Sequence, residues 1–127
     1  MTLLLDTHVF LWLLSQPDKI TENAMELCSN PDNIPYVSLL SLWEIQIKNQ
    51  LGKIELDVPI QKILQAGKEK GISILDIKEQ HILTLASLPM HHRDPFDRLL
   101  IAQSIAENMT LISADQKIQK YNAKVVW

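Results

Sequence analysis

A chain of 127 residues that is 46% hydrophobic and carries a formal net charge of -3 is long enough for one domain, residues 1–127, with a real core. With only two arginines, Arg93 and Arg98, that charge argues against a stand-alone nucleic-acid binder built on a basic face. It leaves open an enzyme whose carboxylates meet phosphates through a cation. No apolar run is long enough to span a bilayer, and the first residues lack a signal-peptide pattern. The single cysteine, Cys28, excludes an internal disulfide framework and fits a reducing cytoplasm. Its neighbours Met25 and Leu27 make it a packing residue of a helix.

Thr2 to Leu5 is a short apolar run that reads as a buried parallel strand. Asp6 follows at its carboxyl end, where open α/β sheets place ligands. Asp6 or Thr7 caps a helix through Val9 to Leu14, which Pro17 ends. Thr21 opens a second helix carrying Ala24, Met25, Leu27 and Cys28. Pro31 to Asn33 is a turn, and Ile34 to Val37 a second strand with Pro35 at its edge or entry. Ser38 to Leu51 is a helix stopped by Gly52. Its start is ambiguous. Ser41 and Glu44 match a capping box, whereas a start at Ser38 leaves Glu44 inside the helix and free to point at the strand ends.

Lys53 to Val58 alternates and is expected to be extended. A helix from about Pro59 to Gly71 precedes a third strand, Ile72 to Leu75, closed by Asp76. Another helix runs from about Lys78 to Leu88, and Pro89 breaks it. In His91-His92-Arg93-Asp94-Pro95-Phe96-Asp97-Arg98, Pro95 presets a first helical turn. Asp94 is then the natural N-cap, and Asp97 takes the third helical position. Capping and the favourable placement of negative charge at a helix N-terminus would explain both acids without any chemistry. Thr110 to Ser113 is a fourth strand with Asp115 just beyond it. A short helix reaches about Tyr121, and Lys124 to Trp127 is a last strand. The alternation of strands and helices indicates an α/β fold around a mainly parallel sheet.

Asp6, Glu44, Asp76, Asp94, Asp97 and Asp115 all fall at strand ends or helix starts, which in a parallel sheet share one edge. Carboxylates crowded there repel one another and raise each other's pKa. A hard divalent cation relieves that penalty. Oxygen donors without cysteine or obvious histidine spacing suit Mg²⁺ or Mn²⁺ better than zinc. Such an ion activates water and stabilises charge on phosphate oxygens, which is the chemistry of phosphodiester hydrolysis. His91 and His92 are explained more simply by a polar loop, and His8 by packing or capping. Trp12, Trp43 and Trp127 read as core or interface. Arg98 has three open roles: pairing with an acid, contacting the phosphodiester strand, or holding a partner's chain.

Four stretches carry a family resemblance: Leu3-Leu4-Leu5-Asp6-Thr7-His8, Ser38 to Ile45 around Trp43-Glu44, His92 to Gln103, and Leu111-Ile112-Ser113-Ala114-Asp115. In this order they resemble the PIN-domain nucleases, specifically the VapC-like toxins of bacterial toxin–antitoxin pairs and their HRDPFDR-type subgroup. The resemblance spans nearly the whole chain. It implies a three-layer α/β/α sandwich, dependence on Mg²⁺ or Mn²⁺, and endonuclease action on RNA. By position, Asp6, Glu44 and Asp115 are implied catalytic and metal-binding acids. For the middle acid the chain offers both Asp94 and Asp97, and Asp97, which leads directly into the apolar helix, is favoured as the catalytic and metal-binding one. Asp94 is a further metal candidate that caps or serves as an outer ligand, and Ser113 matches a supporting hydroxyl. A cognate protein antitoxin is the implied partner. Homodimerisation is suggested by the resemblance and by exposed-looking aromatics such as Trp12. Lys48, Lys53 and Lys117 are the candidate RNA contacts. Two other classes remain: a receiver-like phosphoacceptor domain, for which Asp6 stands alone after the first strand, and a non-catalytic interaction domain in which every acid is a cap.

Overall fold

The computed structural model describes all residues from Met1 to Trp127. Five strands form the sheet: β1 (Thr2–Leu5), β2 (Ile34–Ser38), β3 (Ser73–Leu75), β4 (Thr110–Ile112) and β5 (Val125–Val126). Their order is β3-β2-β1-β4-β5, and every pairing is parallel. Six α-helices connect them: α1 (Thr7–Ser15), α2 (Glu22–Ser29), α3 (Leu39–Gln50), α4 (Ile60–Glu69), α5 (Glu79–Ala86) and α6 (Pro95–Ala106). Single 3-10 turns lie at Pro17–Lys19 and Ile118–Lys120.

The pleat divides the core in two. On β1, Leu3 and Leu5 face a cluster with Val9, Phe10, Ala24, Ile45 and Ile63, drawn from α1, α2, α3 and α4. Leu4, between them, faces Leu40, Leu100, Ile101 and Tyr121 on the opposite side. Successive strand residues point to opposite faces, so an uninterrupted Leu-Leu-Leu run requires cover on both sides. All three leucines are fully buried, and each such burial stabilises by about 1.5–3 kcal/mol. The result is the expected α/β/α sandwich.

Cys28 is half-buried against the first cluster, and burial pushes its thiol up to about 11, as a packing residue requires. Gly52 ends α3 with φ +72, a conformation costly for residues with a Cβ. Lys53 to Val58 forms no strand. Ile54 and Leu56 turn inward while Glu55 and Asp57 face solvent, so the alternation records one-sided burial without a ladder partner.

The chain builds outward from β1 to β2 and β3, then returns to place β4 and β5 on the other side of β1. The sheet therefore has its topological switch point between β1 and β4, the crevice where open α/β sheets bind ligands at their carboxyl ends. Asp6 follows β1 and Ser113 follows β4, so these two residues face each other across that crevice.

Candidate active site

Backbone capping places most of the acids. Ser38 is the N-cap of α3, and its Oγ accepts the Leu40 N–H at 3.1 Å. The ambiguous start is thus resolved in favour of Ser38, and Glu44 lies inside the helix, buried. Asp94 is the N-cap of α6, its Oδ1 accepting from the Phe96 and Asp97 N–H groups at 2.9 and 3.1 Å. Asp97 then falls on the first turn and is not itself the cap. Asp6 occupies the N-cap position of α1 but makes no side-chain capping bond, which leaves its carboxylate free for other partners.

Those partners are side chains. Ser113 Oγ donates to Asp6 Oδ2 at 2.7 Å and accepts the Asp115 N–H at 3.1 Å. Thr7 Oγ1 donates to Glu44 Oε1 at 2.6 Å and lies 2.9 Å from Ser41 Oγ. The other Glu44 oxygen, Oε2, accepts from Lys48 Nζ in an i,i+4 pair. Asp115 Oδ1 accepts the Lys117 N–H at 2.8 Å, a tight local turn. His92 Nε2 lies 2.9 Å from Asp97 Oδ2 and 3.3 Å from Asp115 Oδ2. Its Nδ1 accepts the Asp94 N–H at 3.3 Å. That bond assigns the ring proton to Nε2, which donates toward the two acids. The Tyr121 hydroxyl fixes the same residue by accepting its N–H at 2.9 Å.

Asp6, Glu44, Asp94, Asp97 and Asp115 line one cleft of about 510 Å³, together with His8, Trp12, Lys48 and His92. Their mutual repulsion is visible in the titration of Asp97. Burial first, then the charges of Asp6, Asp94, Glu44 and Asp115, push its carboxyl up to about 8. Burial also raises Asp6, with Glu44 adding to it, against the lowering effects of the Ser113 hydrogen bond and of His8. Partial burial works against the Lys48 ammonium. The hydrogen bond and charge of Glu44, with Asp94 and Asp97 behind it, nevertheless hold Lys48 above the ordinary lysine range. The cleft thus gathers five carboxyls around one ammonium, Lys48, and two imidazoles, His8 and His92.

Asp76 does not join the cluster. It is exposed after β3, and β3 is the edge strand two places from β1, about 10 Å away at the usual strand spacing. Its backbone carbonyl accepts from Gln103 Nε2 instead. Arg98 donates to the Leu88 carbonyl at 3.2 Å, tying α6 to the end of the preceding helix, and makes no ion pair with the neighbouring acids. Trp12, read as core or interface though exposed-looking, is half-buried and packs on the core, whereas Trp43, given the same core-or-interface reading, is 60% exposed beside Phe96. His8, read as a packing or capping residue, is exposed on the cleft. His92, set aside as a loop residue, bridges two acids. Lys48 meets Glu44, a pairing signalled by the four-residue spacing. Lys53 lies outside the cleft, and Lys117 takes part only through its backbone.

The model of the PIN domain family matches residues 3–124. The chain belongs to the PIN-domain family. Ribonuclease VapC22 of Mycobacterium tuberculosis is 26% identical to it over 121 residues, covering 94% of this chain and 92% of that protein. Among solved structures, the VapBC2 complex of Rickettsia felis bound to a promoter DNA fragment superposes with a TM-score of 0.75 at 20% identity, over 99% of this chain and 98% of that one. VapBC-1 of nontypeable Haemophilus influenzae gives 0.66 at 19% identity, over 99% and 97%. At such identities the structural likeness establishes the PIN fold, and the cleft lies where that fold has its switch point.

Proposed function

We propose that this chain is a divalent-metal-dependent endoribonuclease that hydrolyses RNA phosphodiester bonds and acts as the toxin of a toxin–antitoxin pair. The observation that carries the reading is the convergence of Asp6, Glu44, Asp94, Asp97 and Asp115 on one cleft, with the Asp97 carboxyl pushed up to about 8 by burial first and then by the neighbouring charges. A fold does not gather buried like charges for stability. The donor set is mainly carboxylate oxygen and fits a hard cation, Mg²⁺ or Mn²⁺. Asp6, Glu44, Asp97 and Asp115 would hold it, with Asp94 bordering the site. When bound, such an ion activates water and neutralises charge on phosphate oxygens.

The chain's own residues prepare that site. Ser113 and Thr7 donate hydroxyl hydrogen bonds that fix one oxygen of Asp6 and one of Glu44. His92 Nε2–H holds Asp97 and Asp115 near each other. Lys48 supplies the positive charge nearest the acids, within reach of an incoming phosphate. Asp97 carries a proton at neutral pH and gives it up when positive charge enters the cleft. The similarity to a ribonuclease VapC and to VapBC complexes supports RNA as substrate and a protein antitoxin as partner. A side chain or segment of the antitoxin inserted among these acids would block the cleft. No helix is long and apolar enough to cross a membrane; the toxin reading itself places the action in the cytoplasm.

The test is cleavage of a mixed structured-RNA pool by the purified protein with Mg²⁺ or Mn²⁺, with chelator, and with Asp6→Asn. Metal-dependent cutting that disappears in the variant supports the reading. Cutting that persists at full rate in the variant contradicts it.

A further inference from the structure

The acid cleft has one apolar wall that hydrolysis itself does not require. Its hydrophobic lining is Val9, Trp12 and Ala114. Val9 is fully buried and Ala114 is small, so Trp12 is the only large apolar side chain lining the cleft. His8 lies one turn earlier on the same face of α1, with ring centroids 5.9 Å apart and planes inclined by 45°. Trp127 backs Trp12 at 5.9 Å and 50°, and Lys19 Nζ stands 5.8 Å from the Trp12 ring centroid. Trp12 is thus an anchored aromatic with a neighbouring ring and a cation around it. The six-residue offset from Asp6 puts it about 9 Å along α1 from the first acid.

We infer that Trp12, with His8 beside it, is a stacking platform for an unpaired nucleobase next to the phosphate held at the acids. The inference rests on the ribonuclease reading and adds to it the residue that selects unpaired strand. The charge balance favours such a platform. A chain of net charge -3 with five carboxyls in its cleft gains little from phosphate attraction beyond the cation those acids would hold. Base–aromatic stacking needs no charge, and every base offers a π-face. A base paired in a duplex has both faces covered by its neighbours, so a single aromatic ledge favours strand that is already unpaired. Lys19, whose ammonium lies over the ring, adds a positive charge beside it for a flanking phosphate.

The experiment compares binding of a short single-stranded RNA oligonucleotide and its duplex, in Mg²⁺, in an Asp6→Asn background that prevents cleavage. Intrinsic tryptophan fluorescence and anisotropy of a labelled strand are the readouts. Single strand should quench tryptophan emission and bind more tightly than duplex. Trp12→Leu should weaken single-strand binding by roughly 5- to 100-fold, the range expected for loss of one stacked base. Trp12→Phe should recover part of the loss. His8→Ala, an exposed change that leaves the core intact, keeps the test valid if Trp12→Leu folds poorly, and should weaken single-strand binding alone. With otherwise wild-type enzyme, Trp12→Phe should raise KM and leave kcat near its starting value. Equal binding of single strand by the parent, Trp12→Phe and His8→Ala would overturn the platform, as would equal affinity for duplex. Absence of cleavage by the wild-type chain would instead count against the ribonuclease reading, while the binding comparison still decides the platform.

Discussion

Asp97 is expected to destabilise the metal-free protein, and Asp97→Asn to stabilise it. In the unfolded chain this carboxyl ionises near its ordinary value of 3.8, whereas in the folded cleft it holds its proton up to about 8. The folded state therefore binds more protons between those limits, and stability falls as pH rises. The contribution is fully present below about pH 4 and is lost progressively as pH climbs toward 8. At pH 7 the interval is about three units, which corresponds to about 4 kcal/mol at the upper bound. The Asp97 side chain keeps 17% of its exposure, and water entry with local rearrangement reduces the figure, so ~2 kcal/mol is the working magnitude. Asparagine cannot ionise, and it retains an oxygen to accept from His92. In chelator, Asp97→Asn should raise Tm at pH 7 by roughly 6–10 °C for a chain of this size, and by less than half as much at pH 5. Excess Mn²⁺ should stabilise the wild type and close the gap. Scanning calorimetry reads all of these. A variant no more stable than wild type at pH 7 in chelator, or a gap that does not shrink at pH 5, would refute the burial and charge crowding that raise Asp97.

Other outcomes follow from the same contacts. Cation binding at pH 7 should release about one proton from Asp97, read as a buffer-dependent enthalpy when Mn²⁺ is titrated in buffers of different ionisation heat. Thr7→Val removes a hydrogen bond to a buried carboxylate and should cost about 1.5–3 kcal/mol in urea denaturation, with weaker Mn²⁺ binding. Lys48→Met leaves Glu44 without its counter-charge. It should lower stability in chelator while Mn²⁺ restores much of the loss, seen as a larger cation-induced Tm shift than in wild type. Gly67→Ala should destabilise by roughly 1–3 kcal/mol in thermal melts despite alanine's helix propensity, because its Cβ would stand 3.1 Å from the Phe10 ring.

Local rules made the acids legible. A buried Leu-Leu-Leu strand implies cover on both faces, cover on both faces implies a parallel sheet, and a parallel sheet collects its strand-end acids on one edge. Asp94 is readable as a cap because Pro95 follows it, and Asp97 thereby gains its place on the first turn. Strand order was not readable, and it decides against Asp76: an acid after an edge strand is remote from the switch point however well it matches the pattern. Long-range partners were also hidden. Nothing in the sequence joins Thr7 to Glu44 across 37 positions, or His92 to Asp115 across 23. Lys53 to Val58 shows the limit of periodicity, since alternation reports which side is buried and not whether a neighbouring strand exists. The degree of Trp12 burial was hidden for a related reason: it depends in part on Trp127 at the far end of the chain.

The most direct test of the central claim, that these carboxylates form one cation site, is Mn²⁺ binding followed by electron paramagnetic resonance and calorimetry. The proteins compared would be the wild type, Asp6→Asn, Asp97→Asn and Asp115→Asn. The account predicts saturable binding in wild type and a loss of affinity of tenfold or more in each variant, with the folds intact by circular dichroism. Unchanged affinity in all three variants, or no saturable binding in wild type, would contradict it and leave the acids as helix caps and turn residues.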